Sequence, residues 1–361
     1  MREARFGVRL KPLDWRSALT ELRSEEPMNS ALDDYPKFAS AIRRLFSAGV
    51  TASDAADLMV CIASESKCIP LAGMDEWERA IRAEIFSAER DSAKTPWKLW
   101  AHERRFTSWL ELCCHDGRRR EAALRVTSGG APSAFLLALA LRRLNDWVPQ
   151  VRTAARETLP QLVSNSEPQD VATVLWSLLA HWDTWGRMES ADRETVAAIT
   201  SSEPVALALS SKIMATAAGP AGRVLAQCAR SATFDRWIEG FAYGAVQPAV
   251  RAVAFRWLLS EQVTWVTGRR WLWTDLAYCK GKFEPVIDSR KLQTKKPFIA
   301  TLRGAMADGS PMVRRVAAEF LIRQLRSSGE QARLLAKELA SDTSQCVAWR
   351  GEFALKQLHQ E

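Results

Sequence analysis

Four windows of this chain share one spacing, and that spacing restricts the fold more than any other feature of the sequence. Asp146-Trp147-Val148-Pro149-Gln150-Val151-Arg152 is followed by Ala155 and Leu159. Gly244-Ala245-Val246-Gln247-Pro248-Ala249-Val250-Arg251 is followed by Ala254 and Leu258. Asp308-Gly309-Ser310-Pro311-Met312-Val313-Arg314 leads to Ala317 and Leu321, and a degenerate copy, Asp342-Thr343-Ser344-Gln345-Cys346-Val347, leads to Gly351 and Leu355 without the Pro or the Arg. Val, a small residue and Leu at i, i+4 and i+8 lie on one face of an α-helix, where the small residue lets a neighbouring helix approach closely. Pro in the first turn lacks only an amide that the helix would leave unused. Three of the windows follow apolar helical runs, at 134–144, 298–306 and 331–339.

This order of turn, Pro, Val-Arg, small residue and Leu resembles the HEAT repeat. The resemblance implies an all-α fold: an α-solenoid of stacked antiparallel helix pairs over residues 131–361, following a helical N-terminal region at 1–130. One pair cannot bury its own apolar face, so such units must stack. The valines at 151, 250, 313 and 347 stand 99, 63 and 34 residues apart. The last spacing is close to one unit, and 63 is one unit plus an insertion. The 99-residue gap has room for two degenerate units, with helices at 171–181 and 204–217. The resemblance further implies that Arg152, Arg251 and Arg314 pair with acidic groups of neighbouring units, and that Arg156, Arg256, Arg315 and Arg323 line a concave face.

Composition agrees with a folded helical chain. Hydrophobic residues are 47% and charged residues 25%, and Ala, Leu and Arg, good helix formers, outnumber strand-favouring runs. Upstream of residue 130, Thr51-Ala52-Ser53-Asp54 and Thr95-Pro96-Trp97 read as helix starts. Phe106, Trp109, Leu110 and Cys113 read as one helical stripe that Gly117 ends, with Trp97 and Trp100 on the opposite face. Residues 1–9 are too charged for a signal peptide. The longest apolar run, Ala134–Leu141, is far short of the ~20 residues of a membrane span, so no membrane partner is expected. Seven cysteines without paired spacing suit reduced thiols and a cytoplasmic setting. Cys113-Cys114-His115 points its side chains apart on a helix, so neither a metal nor any other cofactor is expected.

The net charge of +8 is unevenly placed. Residues 265–296 carry 8 basic and 3 acidic side chains, whereas residues 131–264 carry 12 of each. This stretch interleaves Arg269, Arg270, Lys280, Lys282, Lys291, Lys295 and Lys296 with Trp271, Trp273 and Tyr278. Cations and rings in alternation suit nucleic-acid phosphates and bases, and Trp with Arg equally suits a protein hot spot. A third reading folds the insertion back and buries Trp271 and Trp273 in the helical body. A secondary basic surface is expected from Arg118, Arg119 and Arg120, joined by Arg156, Arg256 and Arg315.

His102, His115, His181 and His359 stand in no nucleophile or metal motif, and Gly219-Pro220-Ala221-Gly222 reads as a helix break and not a phosphate loop. Trp182-Asp183-Thr184-Trp185 has the residue types of HEAT-like alkylpurine DNA glycosylases but closes a helix end equally well. The sequence therefore favours a non-catalytic scaffold that binds a protein partner along a helical surface, with a nucleic-acid-binding protein as the alternative and a glycosylase-like enzyme behind both.

Overall fold

Local capping sets where the helices begin. Thr51 Oγ1 accepts the Asp54 amide at 3.2 Å and Asp54 Oδ2 accepts the Thr51 amide at 3.1 Å, a reciprocal cap that opens the helix Ala52–Ser66. Proline stands in the first turn of Pro149–Ser164, Pro248–Ser260 and Pro311–Arg323, the helices that carry the Val-Arg windows. Our computed structural model describes residues 31–93, 108–127 and 129–359. Residues 1–9, the start signal Thr95-Pro96-Trp97, Trp100, His102 and Phe106 lie outside the described residues.

The described chain is mostly helical. Its helices are α1 Pro36–Leu45, α2 Ala52–Ser66, α3 Met74–Ala93, α4 Gly117–Val126, α5 Ala134–Leu141, α6 Pro149–Ser164, α7 Pro168–Leu179, α8 Ser190–Ser201, α9 Glu203–Ala215, α10 Ala221–Cys228, α11 Asp235–Gly244 and α12 Pro248–Ser260. After the strands β1 Gln262–Asp275 and β2 Lys280–Lys291 come α13 Phe298–Met306, α14 Pro311–Arg323, α15 Leu325–Ala340 and α16 Gln345–His359. One expected boundary is reversed: Gly117 opens α4, whose amides Asp116 caps, and Trp109–Cys113 is a single 3-10 turn. No described helix is long and apolar enough to cross a membrane.

Alternate helices pack on one another. α4 packs on α6 and α6 on α8, while α5 packs on α7 and α7 on α9; beyond the hairpin, α12 packs on α14 and α14 on α16. The periodic face identified in the sequence is the buried one. Val151, Val250, Val313 and Val347 are fully buried, as are Ala155, Ala254 and Ala317, and Leu159, Leu258 and Leu321 lie beneath them. Packing also crosses residue 130. Glu78 of α3 accepts Arg142 Nε at 2.6 Å and Arg143 Nη2 at 2.5 Å, and the hydroxyls of Ser66 and Ser133 share a buried hydrogen bond at 2.7 Å.

Arginines recur at the fourth residue of α4, α6, α12 and α14, and three of the four bind in the same way. Arg120 of α4 donates to the Cys114 and His115 carbonyls and grips Asp146 with two hydrogen bonds of 2.9 Å. Arg251 of α12 donates to the Ala245 and Val246 carbonyls and grips Asp308 at 2.7 and 2.9 Å. Arg314 of α14 repeats the arrangement with Asp308, Gly309 and the Asp342 carboxylate. Arg152 of α6 meets the Asp146 carbonyl and Glu189. Asp146, Asp308 and Asp342 each also accept the amide two residues on. Each is thus an Asx turn and an ion-pair partner together, joining the turn before one helix to the helix packed beside it.

Candidate interaction hairpin

The insertion expected at 265–296 is a β-hairpin, the one departure from an all-helical chain among the described residues. It begins earlier, where Glu261 takes a left-handed φ of 54° and turns α12 directly into β1. The strands run antiparallel with Trp271 opposite Phe283, Leu272 opposite Lys282 and Arg270 opposite Glu284. Register shifts at 266–268 and 273–275 bend the ladder.

The root of the hairpin is locked to the helices. Val263, Trp265 and Leu292 are buried, β1 packs on α10, on α12 and on the 3-10 turn Trp182–Thr184, and Gln227 Nε2 donates to the Val266 carbonyl at 2.9 Å. Arg290 is the strongest anchor. It donates to the carbonyls of Ala229 and Ser231 and forks onto both oxygens of buried Asp235 at the start of α11.

Beyond the root, every side chain from Arg270 to Lys282 is exposed except Asp275 and the glycine at 281. Side chains alternate across a strand, so Trp271 and Trp273 share a face with Phe283. Their rings meet edge to face, Trp271 with Trp273 at 5.5 Å and with Phe283 at 4.8 Å. Gly281 makes room for this cluster, since a Cβ there would stand 2.4 Å from the Trp271 ring. The cluster stays outside the core: Trp271 is 42%, Trp273 52% and Phe283 64% exposed. The reading that buries these tryptophans in the helical body is therefore corrected. A free two-stranded ribbon has no second layer to cover its faces.

Most cations of the stretch already face carboxylates. Arg269 lies 3.9 Å from Asp183, Lys282 3.2 Å and Arg270 3.8 Å from Glu284, Lys295 3.7 Å from Glu261, and Lys296 2.6 Å from Glu239. Lys280 lies over the Tyr278 ring, and Lys291 is exposed at the end of β2. Further apolar residues of the ribbon are exposed and carry no charge to mark them in the sequence: Ile287 on the face of Phe283, Leu272 and Val286 on the opposite face, and Leu276 in the turn. The sequence signal for a strand here is the run of β-branched and aromatic residues Val263 to Thr267, with Trp271 and Trp273 two apart beyond it.

The secondary basic residues do not form one surface. Arg120 is a correction, because it is only 2% exposed and spent on Asp146. Arg119 bridges Glu89 and Glu111, Arg156 meets Asp192, and Arg256 and Arg315 share Glu319; Arg118 alone of the three on α4 is exposed. Trp182 is buried and Asp183 faces Arg269, so the Trp182–Trp185 segment closes α7 and supports the hairpin root. Among the described residues no group of three or more His, Cys, Asp and Glu side chains is placed to hold a metal. No protein-family model matches the chain, and no curated protein or solved structure matches it.

Proposed function

We propose that this chain is a HEAT-like α-solenoid scaffold that docks a protein partner through the hairpin Gln262–Lys291. The recurrence of Arg120, Arg152, Arg251 and Arg314 at one helix position, each gripping the turn before the next helix of its row, supports the repeat reading. The observation that carries the docking reading is the exposed cluster of Trp271, Trp273 and Phe283 on a projecting ribbon. A contiguous exposed apolar patch marks an interaction site, and Trp is among the residues that dominate interface energetics. The pairing of Arg269, Arg270, Lys282, Lys295 and Lys296 with carboxylates favours a protein over nucleic acid, because phosphates would have to displace those partners.

The test places a photo-crosslinking amino acid at position 273 and, as a control, at exposed Val60. A discrete protein adduct at 273 that disappears with Trp271→Ser and is absent at 60 supports the scaffold. Salt-sensitive binding to DNA or RNA between ~50 and ~200 mM salt, with no adduct at 273, overturns it in favour of the nucleic-acid reading.

A further inference from the structure

The arginine series has a gap at the hairpin root. Arg193 is the fourth residue of α8, the position Arg120, Arg152, Arg251 and Arg314 hold in their helices. The turn before α10, where its carboxylate would stand, reads Ala217-Ala218-Gly219-Pro220 and offers none. Arg193 instead lies against buried Trp182, its guanidinium carbon 5.7 Å from the ring centroid. A second arginine shares that ring: Arg230, just past α10, is 5.0 Å from Trp182 and 5.6 Å from Trp265. Neither guanidinium has a hydrogen bond or a carboxylate within salt-bridge distance among the described residues, whereas the other four arginines of the series are all paired.

The surrounding polar groups are equally unfinished. Arg230 Nη1, Trp265 Nε1 and Gln227 Oε1 are buried without a hydrogen-bond partner, and they lie on adjoining elements of one seam. Trp265 is only 8% exposed. A buried donor left unmade costs free energy. Burial and the like charge of Arg193 both push the Arg230 guanidinium below its ordinary value, and exposed Asp288 only partly opposes them. Asp183 is engaged by Arg269 and Asp192 by Arg156.

We propose that Arg193 and Arg230, with the Trp182 and Trp265 rings as walls, form a binding site for a phosphate group. Elsewhere in the series every guanidinium meets at least one carboxylate. Here two cations from two elements have none, which matches the charge of ≈ −1.5 to −2 on a phosphate monoester. A tetrahedral oxyanion also offers oxygens in several directions, whereas a planar carboxylate fits a single guanidinium fork. This inference is independent of the docking reading, because its test uses the isolated full chain.

Inorganic phosphate, acetate and chloride at equal ionic strength are compared by thermal unfolding and by phosphorus NMR line broadening. Phosphate should raise the melting temperature where acetate and chloride do not, because a ligand that binds only the native state stabilises it. Arg193→Gln and Arg230→Gln should each weaken binding by roughly ten- to a hundred-fold, the loss of hydrogen bonds to a charged group. Arg193→Gln should also melt higher than the parent in phosphate-free buffer, since it removes like-charge repulsion, so its lost phosphate response could not be blamed on misfolding. O-phosphoserine and a nucleoside 5′-monophosphate then identify the carrier by whichever binds more tightly. Equal stabilisation by acetate, or a phosphate response that survives in Arg193→Gln, overturns the proposal.

Discussion

Arg120 and Asp146 are both withdrawn from water, and each satisfies the other with two hydrogen bonds. Burial alone would raise the Asp146 carboxyl, yet the bonds from Arg120 and the Val148 amide, with the charge of Arg143, hold it below the ordinary carboxylate range. Without Arg120, Asp146 keeps only Arg143 and the Val148 amide, and the Cys114 and His115 carbonyls lose their donor, so Arg120→Ala should cost about 1.5–3 kcal/mol by chemical denaturation. The Arg251–Asp308 and Arg314–Asp342 pairs carry a pH signature. Arg314 lowers the Asp342 carboxyl, and Arg251 lowers Asp308 against the opposing effect of burial. Their stabilisation is complete above the unfolded carboxylate value of ~3.9 and is lost as pH falls through the lower folded values. The unfolding midpoint should therefore drop below about pH 4, and Asp342→Asn should be less stable at pH 7 yet decline less steeply in acid. Part of this series was legible in advance. A search for Val-Arg finds Arg152, Arg251 and Arg314 but misses Arg120 and Arg193, which follow Arg119 and Asp192 while holding the same place in their helices.

At the scale of the elements, the small residue of each window decides how closely the helices approach. Gly351 of α16 meets the backbone of α15 so closely that a Cβ would stand 2.2 Å from the Ala340 nitrogen. Backbone cannot swing aside as a side chain can. Gly351→Ala should therefore destabilise by about 1–3 kcal/mol, while Gly309→Ala, with nothing within 4 Å of its Cβ, should leave the melting temperature nearly unchanged. The windows made these helices readable because Val, small residue and Leu repeat with the helical period. The hairpin is harder to read because its basic residues stand out while its strand period is broken. Val263, Trp265, Trp271, Trp273 and Phe283 are strand formers, but two register shifts interrupt their alternation. Trp271 and Trp273 stand out in the sequence; that they stay outside the core follows from a ribbon too narrow to bury its own faces.

For the whole molecule, the hairpin divides into an anchored root and a projecting tip, and the two should separate experimentally. Arg290, Leu292 and Val263 tie the root to α10 and α11 and to the turn between them, whereas the side chains of 270–284 are mostly exposed. Replacing residues 270–284 with Asn-Gly, which favours the twist of a short hairpin, should keep the root paired. Side chains that face water contribute within about ±0.5 kcal/mol each, and the aromatic contacts among Trp271, Trp273 and Phe283 stabilise only one another. The shortened chain should accordingly retain the helical circular dichroism of the parent and melt within a few degrees of it. It should also aggregate less on concentration, since an exposed Trp-rich patch is an association hazard in any chain that lacks its partner. By contrast, Arg290→Ala leaves buried Asp235 with the Gln293 amide but no cation and takes the guanidinium donors from the Ala229 carbonyl, and it should lower the melting temperature although the tip is intact. A tip deletion that melts as low as Arg290→Ala would mean that the ribbon stabilises the helices. A deletion that melts with the parent while losing the adduct formed near position 273 would assign the tip to recognition and the root to folding.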